Sequence, residues 1–227
     1  MKPIFVALSV LLASVTVCQA TVQYPIPNST EERAALATKL EQEWQKTNDG
    51  QSLTHLAIVY SAIAGLDDGS QETVRKAEKF LSEATGLFPK NYELMAAHGS
   101  TLTMLAQFET KTANQLKYVK KGARKMDRAA KKAPRNISVL LQRANNSLAL
   151  PPFLNRTHYA LRDFQAVLDI VGDKRGADFK AMLLYKLGQA YKIEEKPDMA
   201  KKYWQQVASL KNAPAWSAKA KESLEEL

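Results

Sequence analysis

From Pro27 onward, apolar positions recur at steps of three and four, the period of an amphipathic helix, and few stretches alternate as strands do. Ser29 with Glu32 forms a capping-box pair opening a first helix to about Gln45, with Ala35, Leu36, Leu40 and Trp44 as its apolar stripe. Asn48-Asp49-Gly50 ends it. After that the stripes come in pairs. Ala77, Leu81 and Ala84 are closed by Pro89, with Gly65 as the small residue of the preceding helix. Gly122, Met126 and Ala129 repeat the spacing and are closed by Pro134; their partner helix runs from about Tyr92 to Gln107 around Gly99. Ala160, Phe164 and Val167 follow Leu140 and Ala144, and Gly172 ends that pair. Proline stops a helix by lacking a donor, and glycine by accepting a left-handed cap.

The pattern predicts an all-α domain over 29–227, built of hairpins at about 52–88, 91–133, 136–171 and 177–212. A helix precedes them, and a capping helix over 215–226 alternates charge with a sparse apolar face, as the end of a stack must. Two insertions interrupt the turns, one from about Phe108 to Asn114 and one at Leu150-Pro151-Pro152-Phe153.

The last pair carries the clearest motif. Leu184-x-x-Leu187-Gly188-x-x-Tyr191 is followed by Ala200-x-x-x-Trp204-x-x-Val207 and then Pro214. This resembles the tetratricopeptide repeat, W-x-x-L-G-x-x-Y, A-x-x-x-F and a terminal Pro, with Leu184 in the Trp slot and Trp204 in the Phe slot. The three earlier pairs are looser copies, so the resemblance covers the chain from about Ser52 to Pro214. The whole is also similar to secreted bacterial tetratricopeptide proteins, particularly from Tyr118 to Arg156, through Gly122, Asp127 and the Leu-Pro-Pro-Phe turn. Arg143 departs from the motif, standing where an apolar residue is usual. The resemblance implies a right-handed α-solenoid for protein–protein contact and brings no catalytic residue. It also implies that the first helix of each hairpin lines a concave groove, where Ser100, Thr103, Asn145, Tyr185 and Gln189 project between the packing slots. Asn and Gln can bond a peptide backbone, and Tyr adds flat apolar area.

The N-terminus reads differently. Lys2 is the only charge in the first twenty residues, Ile4 to Val17 is almost unbroken apolar, and Cys18-Gln19-Ala20 offers small residues before a cut. That is a signal-peptide pattern over 1–20, too short for a comfortable membrane span, leaving an extended tether over 21–28. A lipoprotein start at Cys18 is the rival reading, with Val17 bulkier than such a site wants. Under either reading no cysteine remains in the folded domain, and packing must hold it together. The expected location is the periplasm or outside the cell.

Charge narrows the partners. The chain carries a formal +9, which outside the cytoplasm favours acidic proteins, lipid headgroups or envelope polymers, and the compartment disfavours nucleic acid. The cations concentrate on one helix, where Lys117, Lys120, Lys121, Arg124, Lys125 and Arg128 fall at helical steps, continued by Lys131, Lys132 and Arg135. This stripe is the candidate for an anionic surface. Arg143, on a helix otherwise buried, requires a partner such as Asp163 or Asp127, or a ligand carboxylate. Phe153 reads either as an exposed recognition residue or as a plug between helices, and Asn155-Arg156-Thr157 as a cap for the helix that follows. His55, His98 and His158 have no metal spacing, and neither a nucleophile elbow nor a phosphate loop occurs. The function expected is therefore a non-enzymatic scaffold, without cofactor or metal, that binds a protein or peptide. The alternative is a binder of envelope surfaces or small anions through 117–135.

Overall fold

The structure is a computed structural model that describes residues 26–227; the signal segment, Cys18 and the first part of the tether lie outside the described residues. Among these there are ten α-helices and no strand: α1 (Thr30–Thr47), α2 (Gly50–Leu66), α3 (Gln71–Leu87), α4 (Tyr92–Leu105), α5 (Thr112–Lys132), α6 (Ile137–Ala149), α7 (Thr157–Val171), α8 (Ala177–Ile193), α9 (Pro197–Ala208) and α10 (Pro214–Glu225). Short 3-10 turns sit at Ala106–Phe108 and Pro152–Leu154.

Local chemistry explains the boundaries. Ser29 caps α1 by accepting from the Glu32 amide at 3.2 Å. Asp49, Ser70, Asn91 and Asn136 cap α2, α3, α4 and α6 in the same way. Asn48 closes α1 in the left-handed region, and Gly172 closes α7 at φ +52°. On α1 it is Ala37, not Ala35, that is buried beside Leu40, and Arg33 is buried with them through a fork onto Asp67 (Nε–Oδ2 2.7 Å). The end of the tether is tied down, since the Pro27 and Asn28 carbonyls accept from Arg33 Nη1.

Consecutive helices pack in pairs, α2 with α3, α4 with α5, α6 with α7 and α8 with α9. The first helices also touch, α2 on α4 and α4 on α6. The apolar core is correspondingly a chain of local clusters, from Leu56–Val74–Leu102 through Phe164–Leu187 to Trp204–Ala220. No single hairpin could bury such faces alone. Helix α10 lies against α8 and α9, covering the end of the row.

Backbones approach closely between α4 and α5. A Cβ on Gly99 would come 2.7 Å from the Gly122 carbonyl oxygen, and one on Gly122 would meet Thr103 Cγ2 at 2.6 Å and the Gly99 carbonyl closer still. Gly65, by contrast, faces open space and fills no such slot. Gly122→Ala is therefore expected to lower stability by roughly 1–3 kcal/mol, because backbone cannot yield as a side chain can. Gly86→Ala, with nothing within 4 Å of its Cβ, should be neutral or stabilising by up to about 1 kcal/mol through helix propensity. Urea midpoints by circular dichroism compare the two directly.

Candidate functional site

Helix α5 buries Gly122, Ala123, Met126, Ala129 and Ala130 against the rest of the molecule and turns eight cations outward or sideways. Lys117, Lys120, Lys121, Arg124, Arg128, Lys131 and Lys132 are exposed, and Lys125 is half-buried. Arg135 lies beyond the helix end, after Pro134. At 1.5 Å per residue the row from Lys117 to Lys132 runs along about 22 Å of surface. Among the described residues, none of these cations has a carboxylate within ion-pair distance. Burial, then the neighbouring Lys121, pull the Lys125 ammonium below the usual lysine range, against the opposing pull of Glu78. Glu78 itself is held below the ordinary carboxylate range, first by its hydrogen bond with His98 and then by Lys121 and Lys125.

The one acid of α5 is already committed elsewhere. Asp127 receives Arg156 through both oxygens at 2.8 Å and Arg143 at 3.5 Å. Arg143 in turn forks onto Asp163 at 2.6 and 2.8 Å, with Asp163 1% exposed. The guanidinium groups of Arg156, Arg143 and Arg162 all lie 4.0–5.0 Å from the centre of the Tyr159 ring. These cations are held by carboxylates and an aromatic face, whereas the α5 row is not. Arg156 occupies the cap position of α7 without a side-chain cap bond. The expected capping role of Asn155-Arg156-Thr157 thus gives way to this network, in which the fork on Asp127 takes the guanidinium. Phe153 is 78% exposed and plugs no gap.

The groove candidates lie on three helices: Ser100 and Thr103 on α4, Asn145 on α6, and Tyr185 and Gln189 on α8. Thr103 is buried at 7% exposure. It donates to the Ser100 carbonyl at 2.6 Å and accepts from Asn146 Nδ2. It also packs on Gly122, so it is a packing residue rather than a projecting one. Tyr185 is half covered by α10: its hydroxyl meets Ser223 Oγ at 3.0 Å and its ring lies 5.5 Å from Trp216. Ser100 and Gln189 are half-buried. Asn145 is exposed and turns its amide to the Leu141 carbonyl. The three histidines sit on different elements. His98 is buried between Thr85 (3.0 Å) and Glu78 (3.2 Å), and the His158 ring lies 4.1 Å from that of Tyr159 at a tilt of 38°.

One feature has no counterpart in the sequence pattern. The turn from α3 to α4, the first turn of α2 and the start of α6 border an open cleft of about 640 Å³. Phe88 lies across Gly50, where any Cβ would collide with the ring, and Glu93 lines the interior. The signals that mark it are faint: a Leu87-Phe88 pair kept to the last position of a helix, and an acid two places after the Asn91 cap.

No protein-family model, no curated protein and no solved structure matches this chain.

Proposed function

We propose that the chain is a non-enzymatic scaffold of tetratricopeptide type that holds an acidic protein segment along α5. With residues 1–20 read as an export signal, it works in the periplasm or outside the cell. Two contacts favour the repeat reading. Trp204 of α9 rests on Gly188 of α8, and Met126 of α5 rests on Gly99 of α4, so small and large slots answer each other at the motif spacing in both hairpins.

The observation that carries the binding role is the row of eight unpaired cations. Elsewhere this chain places its partly buried arginines on carboxylates, Arg33 on Asp67, Arg143 on Asp163 and Arg156 on Asp127. Dense like charge is self-repulsive, and an acidic partner relieves it while gaining rate from long-range steering. A protein segment suits the face better than a bilayer does. Among the described residues the large exposed apolar side chains are Leu66, Leu87, Phe88, Phe153 and Leu227, and none is on α5, whereas interfacial helices insert apolar side chains.

The test replaces Lys120, Lys121, Arg124 and Lys125 together by Gln. Binding is followed by stopped flow with a Glu-rich helical peptide, and by sedimentation with phosphatidylglycerol vesicles. Association with the peptide should slow by a factor of about 10–1,000 at low salt and lose its salt dependence, with the melting temperature unchanged. Equal peptide rates for the two proteins would remove the proposal, and charge-dependent retention by vesicles alone would replace the protein partner with a lipid surface.

A further inference from the structure

The cleft between the α2, α4 and α6 starts holds the one buried ionisable side chain that has no counter-charge among the described residues. Arg33 has Asp67, His98 has Glu78, and Arg143 and Asp163 have each other. Glu93, with 9% of its surface exposed, has no cation within ion-pair distance. Its Oε1 accepts from Asn136 Nδ2 at 2.9 Å, and that amide is in turn held by the cap bond Asn136 Oδ1 makes with the Val139 amide. The carboxylate is thus oriented from one side and open on the other. A carboxylate withdrawn from water needs a donor or a positive charge on each of its open faces. Lys90 lines the same cleft without reaching it.

The walls around Glu93 are mixed, with Gln51, Thr54 and Asn91 beside apolar and aromatic side chains. Leu87 and Phe88 are 56% and 37% exposed there, among the largest exposed apolar side chains described, and Tyr92 and Ala133 complete the wall. An aromatic ring beside a carboxylate is the usual cradle for an organic cation, the ring face adding to the ion pair. A cleft of about 640 Å³ is of small-ligand size.

We propose that this cleft binds an organic ammonium ion on an apolar stem, with Glu93 taking the charge and Phe88, Leu87 and Tyr92 taking the stem. A free alkylamine and a lysine side chain both present that group. Its Ala133 wall adjoins the end of α5, but the site has the opposite charge preference to the α5 row and does not rest on the proposal for that row.

The experiment is isothermal titration of the full chain with n-hexylammonium, with 1-hexanol as its neutral counterpart, and with a capped peptide holding a single lysine between leucines. The wild-type protein should bind n-hexylammonium at least tenfold more tightly than hexanol. Glu93→Gln, which keeps the shape and the Asn136 bond, should remove that difference. Gly50→Ala, which displaces the Phe88 ring while leaving the carboxylate, should weaken hexylammonium and hexanol alike. Tighter binding of the peptide would assign the site to a lysine of a partner, and tighter binding of n-hexylammonium to a free amine; either supports the proposal. Equal affinity of the wild-type protein for hexylammonium and hexanol overturns it, even should Glu93→Gln fail to fold. Unchanged ammonium affinity in a folded Glu93→Gln protein overturns it as well.

Discussion

Replacing Trp204 by Ala is expected to cost about 3–5 kcal/mol of stability. The indole is 1% exposed and is packed among Ala181, Leu184, Ala200, Val207 and Ala213. Its Nε1 donates to the Tyr185 carbonyl at 3.1 Å. The ring lies against the bare backbone of Gly188, where a Cβ would come 2.8 Å from Cε2, so removal leaves a void that neither helix can close without sliding. For a domain of this size each kcal/mol moves the midpoint by roughly 2–4 °C, giving a fall of on the order of 10 °C. Because coupling in such a row passes between neighbours, α8 to α10 should loosen before the rest. Hydrogen exchange would place the lost protection there, and Trp204→Phe should recover part of it. A loss near zero would mean that α8 and α9 do not stack through this residue.

The helices were legible because their signals are local. Apolar period, the Ser29 cap, Pro89, Pro134 and Gly172 each act within one or two turns, and each is where a helix begins or ends. Arg143 was legible for a different reason: a cation on a buried face has to be answered, and both named acids, Asp163 and Asp127, answer it. The facing of residues between the slots was not legible. Thr103 and Tyr185 have the spacing of projecting side chains, yet one is closed over by the Gly99–Gly122 approach and Asn146, the other by α10. Such facing is set by how the next helix is laid down, which two insertions alter. The Glu93 cleft was hidden for the same reason, since three separate helix starts make it and no one of them carries a motif. The α5 row was the reverse case: its composition was plain, and what the structure adds is that Asp127, the one acid on the helix, is occupied by Arg156 and Arg143, while Glu78, whose charge reaches Lys121 and Lys125, is bonded to His98.

Asp163→Ala carries the second large effect, about 3–5 kcal/mol. Arg143 and Asp163 are buried to 5% and 1% exposure and joined by two short bonds. Removing the acid leaves a guanidinium in the interior whose remaining carboxylate, Asp127, is 3.5 Å away and already forked to Arg156. The desolvation cost of the arginine stays while most of its compensation goes. The same physics says that the pair itself contributes little compared with apolar packing of equal volume. Arg143→Met with Asp163→Leu should therefore recover most of the lost stability, and could exceed the wild type by about 1–4 kcal/mol. A double-mutant cycle on urea midpoints separates the two quantities. If the double variant is as unstable as Asp163→Ala, the knot of Arg143, Asp163, Asp127 and Arg156 around Tyr159 holds α5, α6 and α7 in register through its bonds. Full recovery would assign Arg143 a role other than stability.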